Sequence, residues 1–138
     1  MTGSECFVDT NILIYAHDID EGVKHKTVKE LFQTFWKDRP FPTVSIQVLQ
    51  ECYAALTKKR MSTRLVADII STYLNWDVIM NDKPLLSESM RLHQKLQLSF
   101  WDASIIAAAK SAGIKYLLSE DFTHGQIIEG IKIINPFL

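Results

Sequence analysis

Carboxylates stand in four places where chemistry can be done with them. Residues 5 to 11 read Glu-Cys-Phe-Val-Asp-Thr-Asn, an apolar run that ends in Asp9 and passes at once to the small polar Thr10 and Asn11. A carboxylate at the end of a buried strand is costly to desolvate unless a donor or a cation pairs with it. Asp9 meets that need either by capping the turn, with Thr10 and Asn11 satisfying the loop backbone, or by holding a cation. Asp102 lies three, four and seven residues before Ile105, Ile106 and Ala109, so on a helix it shares their apolar stripe and faces inward. A capping box with Ser99 explains an acid in a first helical turn. It does not require one aligned with the apolar stripe. Lys115-Tyr-Leu-Leu118 runs into Ser119-Glu120-Asp121, again acids at the carboxyl end of a strand. Alone, that is an acidic turn; it gains weight if several such ends meet at one edge. Glu51 falls away from the stripe of Ile46, Leu49, Tyr53 and Leu56, and periodicity makes it a solvated surface glutamate.

Converging carboxylates repel one another and hold protons unless a cation neutralises them. An all-oxygen set suits Mg²⁺ or Mn²⁺, hard ions that keep some waters and bind phosphate oxygens. Such ions activate water, orient a scissile phosphate and stabilise charge on the attacking and leaving oxygens. The corresponding reaction is phosphodiester hydrolysis without a covalent intermediate.

Five apolar runs have the length of strands: Cys6 to Asp9, Thr43 to Ser45, Trp76 to Met80, Lys115 to Leu118 and Ile131 to Ile134. Helical spacing fills the gaps, over about Val23 to Trp36, Ile46 to Lys59 and Thr63 to Leu74, then from near Pro84 and from Ser99 to Gly113. Ser62 suits an N-cap and Gly113 a C-terminal cap. Strands alternating with helices of this length predict an α/β three-layer sandwich, with a mostly parallel central sheet of about five strands flanked by helices. Ligands in such sheets bind outside the carboxyl ends of the strands, where the strand order reverses. Asp9 is expected at such an end.

The 138 residues, 47% hydrophobic and 22% charged, predict a single folded domain rather than a disordered segment. No apolar stretch has the length of a membrane span and the N-terminus lacks a secretory pattern, so a cytoplasmic protein without membrane association is expected. A net charge of −1 provides no overall field for a polyanion, so local patches or metal ions must hold one. Cys6 and Cys52 form no CxxC pair and read as buried structural thiols.

In the order and spacing of these motifs the sequence resembles the PIN-domain ribonucleases, and most closely the VapC-like toxins of bacterial toxin–antitoxin pairs. The likeness runs through Phe7-Val-Asp-Thr-Asn-Ile-Leu-Ile-Tyr15, a helical Glu51, Phe100-Trp-Asp102-Ala-Ser-Ile-Ile-Ala-Ala-Ala109 and Leu117-Leu-Ser-Glu-Asp-Phe122. The resemblance implies metal-binding acids at Asp9, Glu51, Asp102 and Asp121, with Thr10, Asn11 and Ser119 beside them to orient ligands and water. The family's last acid follows a Ser or Thr by two residues, which selects Asp121, although Glu120 is only one residue away. Also implied are a Mg²⁺- or Mn²⁺-dependent endoribonuclease acting on single-stranded or looped RNA, a homodimer, and a cognate antitoxin that blocks the acidic site.

Other candidates have plainer explanations. The clusters Lys24-His25-Lys26 and Lys58-Lys59-Arg60 can grip phosphates but fit solvated helix faces equally. Trp36, Trp76 and Trp101 can stack on bases or pack in a core, and Trp101 stands out by its place beside Asp102. His17, His25, His93 and His124 lack zinc-site spacing, and no nucleotide-binding glycine motif occurs. Two competing functions are a housekeeping RNA-processing nuclease of the same fold and a catalytically silent α/β binding module. A phosphoaspartate enzyme would place a second acid where Asn11 stands.

Overall fold

In a computed structural model describing all 138 residues, the chain forms a six-stranded sheet and six helices. The strands are β1 (Cys6–Val8), β2 (Thr43–Ser45), β3 (Asp77–Ile79), β4 (Tyr116–Leu118), β5 (Ile127–Ile128) and β6 (Ile131–Ile134). Their order is β3-β2-β1-β4-β6-β5, with every neighbouring pair parallel except the β5–β6 hairpin. Each of the five expected strands is present. The sixth, β5, is too short to leave a periodic signal and exists only by pairing Ile128 with Ile131.

The helices are α1 (Thr10–Tyr15), α2 (Val23–Lys37), α3 (Ile46–Lys58), α4 (Thr63–Tyr73), α5 (Lys83–Lys95) and α6 (Phe100–Ser111). The last five match the predicted segments within a few residues, because local chemistry starts and stops them. Ser45, Ser62, Asp82 and Ser99 each accept a hydrogen bond from a first-turn backbone N–H, at 2.9–3.2 Å. Past α6, Gly113 takes a left-handed φ of +67°, which a side chain would strain, and its N–H donates to the Lys110 carbonyl. Helix α1 is the one helix absent from the sequence reading, since its six residues span under two turns.

Right-handed crossovers put the helices that follow β1 and β2 on one face of the sheet, and α5 and α6, which lead back from β3 to β4, on the other. The core is one cluster of 30 buried residues. Cys6, Phe7 and Val8 have no exposed surface, nor do Leu117 and Leu118, as expected of short parallel strands covered on both faces. Strand order reverses between β1 and β4. Their carboxyl ends therefore open the crevice where ligands bind in this architecture.

The aromatic residues divide by edge. Trp36 and Trp76 join Phe32, Phe35 and Tyr73 in a cluster with ring centroids 4.8–6.4 Å apart. Trp76 immediately precedes β3, at the amino edge of the sheet, so this cluster is packing rather than part of the crevice. The basic clusters are partly consumed by ion pairs: Lys24 with Glu120 and Lys59 with Asp18.

Candidate active site

Strand β1 ends at Val8, and Asp9 becomes the N-cap of α1, with Oδ1 accepting from the Thr10 N–H at 2.7 Å. Its Oδ2 accepts from Ser119 Oγ, also at 2.7 Å, at the end of β4. The capping reading of Asp9 is realised, and the same residue stands at the strand-order reversal. At 5% exposure it is the most buried of the acids at this edge. Burial pushes its carboxyl up to about 6, the Ser119 and Thr10 hydrogen bonds oppose that rise, and the charges of Asp121 and Asp102 add to it.

Glu51 reaches the same edge by a route that periodicity does not encode. Helix α3 packs on α1, and Thr10 Oγ1 donates to Glu51 Oε2 at 3.0 Å, while Gln47 Nε2 donates to Oε1 at 2.8 Å. Glu51 is exposed, as periodicity has it, but both of its oxygens are held; the buried side of α3 is formed by Gln47, Val48, Leu49, Cys52 and Leu56, while Tyr53 of the expected stripe is exposed. Gln47 is the residue that sequence reasoning missed. The signal was its position one turn before Glu51, where an amide and a carboxylate share a helix face.

Asp102 enters at the amino end of α6, which runs back against the strands and begins at their carboxyl edge. Ser99 Oγ accepts from the Asp102 N–H at 3.1 Å, but the Asp102 carboxylate makes no hydrogen bond within the chain, so no capping box forms. The stripe on which its inward orientation was argued does not discriminate, because every residue from Ala103 to Ala109 is buried. Helix position, not helix face, puts Asp102 at the crevice.

The acidic turn after β4 sends its two carboxylates to different partners. Glu120 turns toward the α1–α2 side, where Lys24 donates at 2.8 Å and Tyr15 also donates to it. Burial raises its carboxyl, but those two donors outweigh burial and hold it below the ordinary range. Asp121 accepts from Asn11 Nδ2 at 3.3 Å, and its N–H donates to Ser119 Oγ at 3.1 Å. Its carboxyl is raised, by desolvation first and then by the charges of Asp102 and Glu120, with Glu51 adding a smaller share.

Thr10, Asn11 and Ser119 therefore each hold a different acid: Glu51, Asp121 and Asp9. None of Asp9, Glu51, Asp102 and Asp121 takes part in any of the eight ion pairs of the chain. As positioned, no three Asp, Glu, His or Cys side chains are close enough to ligate a single ion. The four acids are near enough for their charges to act on one another, Asp102 and Asp121 on Asp9 and Asp102 and Glu51 on Asp121, and they form an oxygen-only set without a protein cation, suited to a hard divalent ion. No helix is long and apolar enough to cross a membrane. The histidines take no part: His124 Nδ1 accepts from the Asn135 N–H, and His17 bonds Tyr73.

No curated protein sequence matches the chain. Among solved structures, a toxin–antitoxin complex from Klebsiella pneumoniae superposes with a TM-score of 0.70 at 21% identity, covering 95% of this chain and 97% of that one. VapC20 of Mycobacterium tuberculosis, described as a sarcin-ricin loop cleaving toxin, gives 0.62 at 22% identity over 81% and 86% of the two chains. VapBC2 of Rickettsia felis, bound to a DNA fragment from its promoter, gives 0.64 at 16% identity over 93% and 96%. These likenesses establish a common fold. The family model described as the PIN domain matches residues 6–127, nearly the whole length over which the sheet and its four edge acids are laid out, and the chain belongs to the PIN domain family.

Proposed function

We propose that this protein is a Mg²⁺- or Mn²⁺-dependent endoribonuclease that hydrolyses RNA phosphodiester bonds, acting in the cytoplasm as the toxin of a type II toxin–antitoxin pair. The observation that carries this reading is the convergence of Asp9, Glu51, Asp102 and Asp121 on one crevice with no Lys or Arg among them, although Glu120, next to Asp121, has its lysine. Structural likeness to a toxin described as cleaving an RNA loop, and to two toxin–antitoxin assemblies, supports the choice of substrate and of an antitoxin partner. A homodimer is part of the same proposal.

Asp9, Glu51, Asp102 and Asp121 would hold the metal, which when bound supplies an activated water and neutralises charge on the phosphate. The chain's own groups do the positioning. Thr10 and Gln47 occupy one oxygen each of Glu51, Asn11 steadies Asp121, and Ser119 with the Thr10 amide fixes Asp9, so these three carboxylates are oriented before substrate arrives, and that of Asp102 is left without a partner. Without a cation, the raised carboxyl of Asp9 takes up a proton near pH 6. Cleavage is accordingly expected to fall on the acid side of neutrality.

The test is cleavage of a panel of structured and single-stranded RNAs in Mg²⁺, Mn²⁺ or EDTA. Metal-dependent cutting abolished by EDTA is expected; no cutting of any RNA would favour a silent binding module, for which the filling of all four acid positions would then need another cause. A housekeeping nuclease would cut without any antitoxin able to inhibit it.

Glu120 and Asp121 give a finer test of the assignment. Replacing Glu120 by Gln breaks an ion pair at the rim and should leave the cleavage rate within about threefold, since partly exposed pairs contribute little. Asp121→Asn should lower it by at least about tenfold. Equal rates for the two variants, measured side by side, would remove Asp121 from the site.

A further inference from the structure

Trp101 is 63% exposed, and its one aromatic neighbour is Phe100, with ring centroids 5.2 Å apart. The other two indoles are packed in the aromatic cluster at the opposite edge of the sheet. Packing therefore does not account for Trp101. Its ring borders a groove of about 600 Å³ whose walls include Phe100, Gln47, Asn81, Lys83 and Leu86, a size within the range of small-molecule sites. Two of its residues adjoin the edge acids. Gln47 lines it while donating to Glu51, and Trp101 lines it while immediately preceding Asp102. Along its wall the Lys83 ammonium forms no ion pair and the Asn81 amide no hydrogen bond within the chain, and between them stands Asp82, whose Oδ1 caps α5.

We propose that this groove receives one unpaired nucleobase of the RNA, stacked on the Trp101 indole, next to the phosphate that is cut. A flat aromatic wall, an uncommitted amide and an uncommitted cation beside a phosphate-cutting centre match a planar π-face, a polar base edge and a backbone phosphate. A base inside a duplex is excluded, because both of its faces are covered by its neighbours. The assignment rests on the nuclease proposal and deepens it: the substrate would be single-stranded at the cut, and the groove would carry sequence preference that the acids cannot.

Two measurements separate the fate of the groove from that of the nuclease. The first is an abasic scan, in which short single-stranded RNAs cut by the parent protein carry one abasic residue at each position around the cut, and kcat/KM is measured. One position should cost the parent about five- to hundredfold, mainly through KM. Trp101→Ala should lose a similar factor on the intact RNA and suffer no further loss from the abasic residue, while Trp101→Phe restores most of the discrimination. Trp101→Ala that keeps the parent's abasic penalty, or no penalty at any position, overturns the groove while the nuclease stands. The second is quenching of tryptophan fluorescence by oligouridylate and oligoadenylate, in Mg²⁺, on the Asp9→Asn background with and without Trp101→Phe. Base-dependent quenching that the Trp101→Phe change removes supports the groove even if no RNA is ever cut, the outcome that would sink the nuclease alone. Quenching that is identical for abasic oligomers, or is produced only by apolar peptides, overturns it.

Discussion

Asp9→Asn should abolish RNA cleavage, by at least about a hundredfold, and at the same time make the metal-free protein more stable at neutral pH. The first effect follows from removing the negative charge of the most enclosed acid at a site that, on the proposed function, draws several kcal/mol of transition-state stabilisation from a divalent ion. The second follows from where that acid is buried. Its folded carboxyl titrates at about 6 against an ordinary 3.8, so ionising it in the fold costs roughly 3 kcal/mol. Because the folded value is raised, the contribution to stability is fully present below pH 3.8 and is lost as pH rises through about 6. Asparagine escapes that loss. It can still accept from the Thr10 N–H, and its amide can donate to Ser119 Oγ in place of the bond that Ser119 donates now. Thermal unfolding in EDTA at pH 7.5 should show the variant melting several degrees above the parent. Addition of Mg²⁺ should then raise the parent's melting point and leave the variant's nearly unchanged, by linkage of ion binding to the fold. A variant that melts lower than the parent would mean that Asp9 serves the fold as a cap and not the ion.

Lowering the pH from 6.5 to 4 should expose an opposing contribution of similar size from His17. Its ring is largely buried and bonded to the hydroxyl of the fully buried Tyr73. Burial first, and the neighbouring His25 charge second, push its titration down from 6.5 to about 4. The unfolded chain therefore binds a proton that the fold refuses throughout that window. Stability is whole above pH 6.5 and falls by roughly 3 kcal/mol as pH drops to about 4. Over the same range the Asp9 contribution grows, so in the metal-free parent these two contributions oppose each other. Urea unfolding across that range should find the Asp9→Asn variant losing stability steeply toward acid, with the His17 contribution unopposed. His17→Gln keeps an acceptor for Tyr73 without the titration and should instead gain stability toward acid. Parallel curves for parent and both variants would refute the assignment of these two groups as the ones that titrate.

The caps at Ser62 and Ser99 and the apolar runs were legible in the sequence because each is set by neighbours within a few positions. A serine bonds an amide three residues on, and a run such as Cys-Phe-Val can be satisfied only by burial on both faces. Alternation of strand and helix then fixed the parallel sheet, and the sheet put Asp9 at an edge. Two things were not legible. Helix α1 and strand β5 are shorter than any period and are held by packing and pairing. Glu51 carries no sign of its place: it stays exposed, as its helix wheel has it, and only the packing of α1 on α3 brings Thr10 within hydrogen-bond reach of it.

The choice between Glu120 and Asp121 was likewise tertiary: adjacent in sequence, they differ because Lys24 and Tyr15 reach one and Asn11 the other. The sequence by itself determined which residues can bear charge and which strands must be covered, because solvation cost and backbone propensity act locally. Only the tertiary structure decided which carboxylates meet. Asp9 and Ser119, 110 residues apart, share a hydrogen bond because β1 and β4 are neighbours in the sheet. Electrostatic coupling depends on distance through space and on burial, and neither is a property of spacing along a chain.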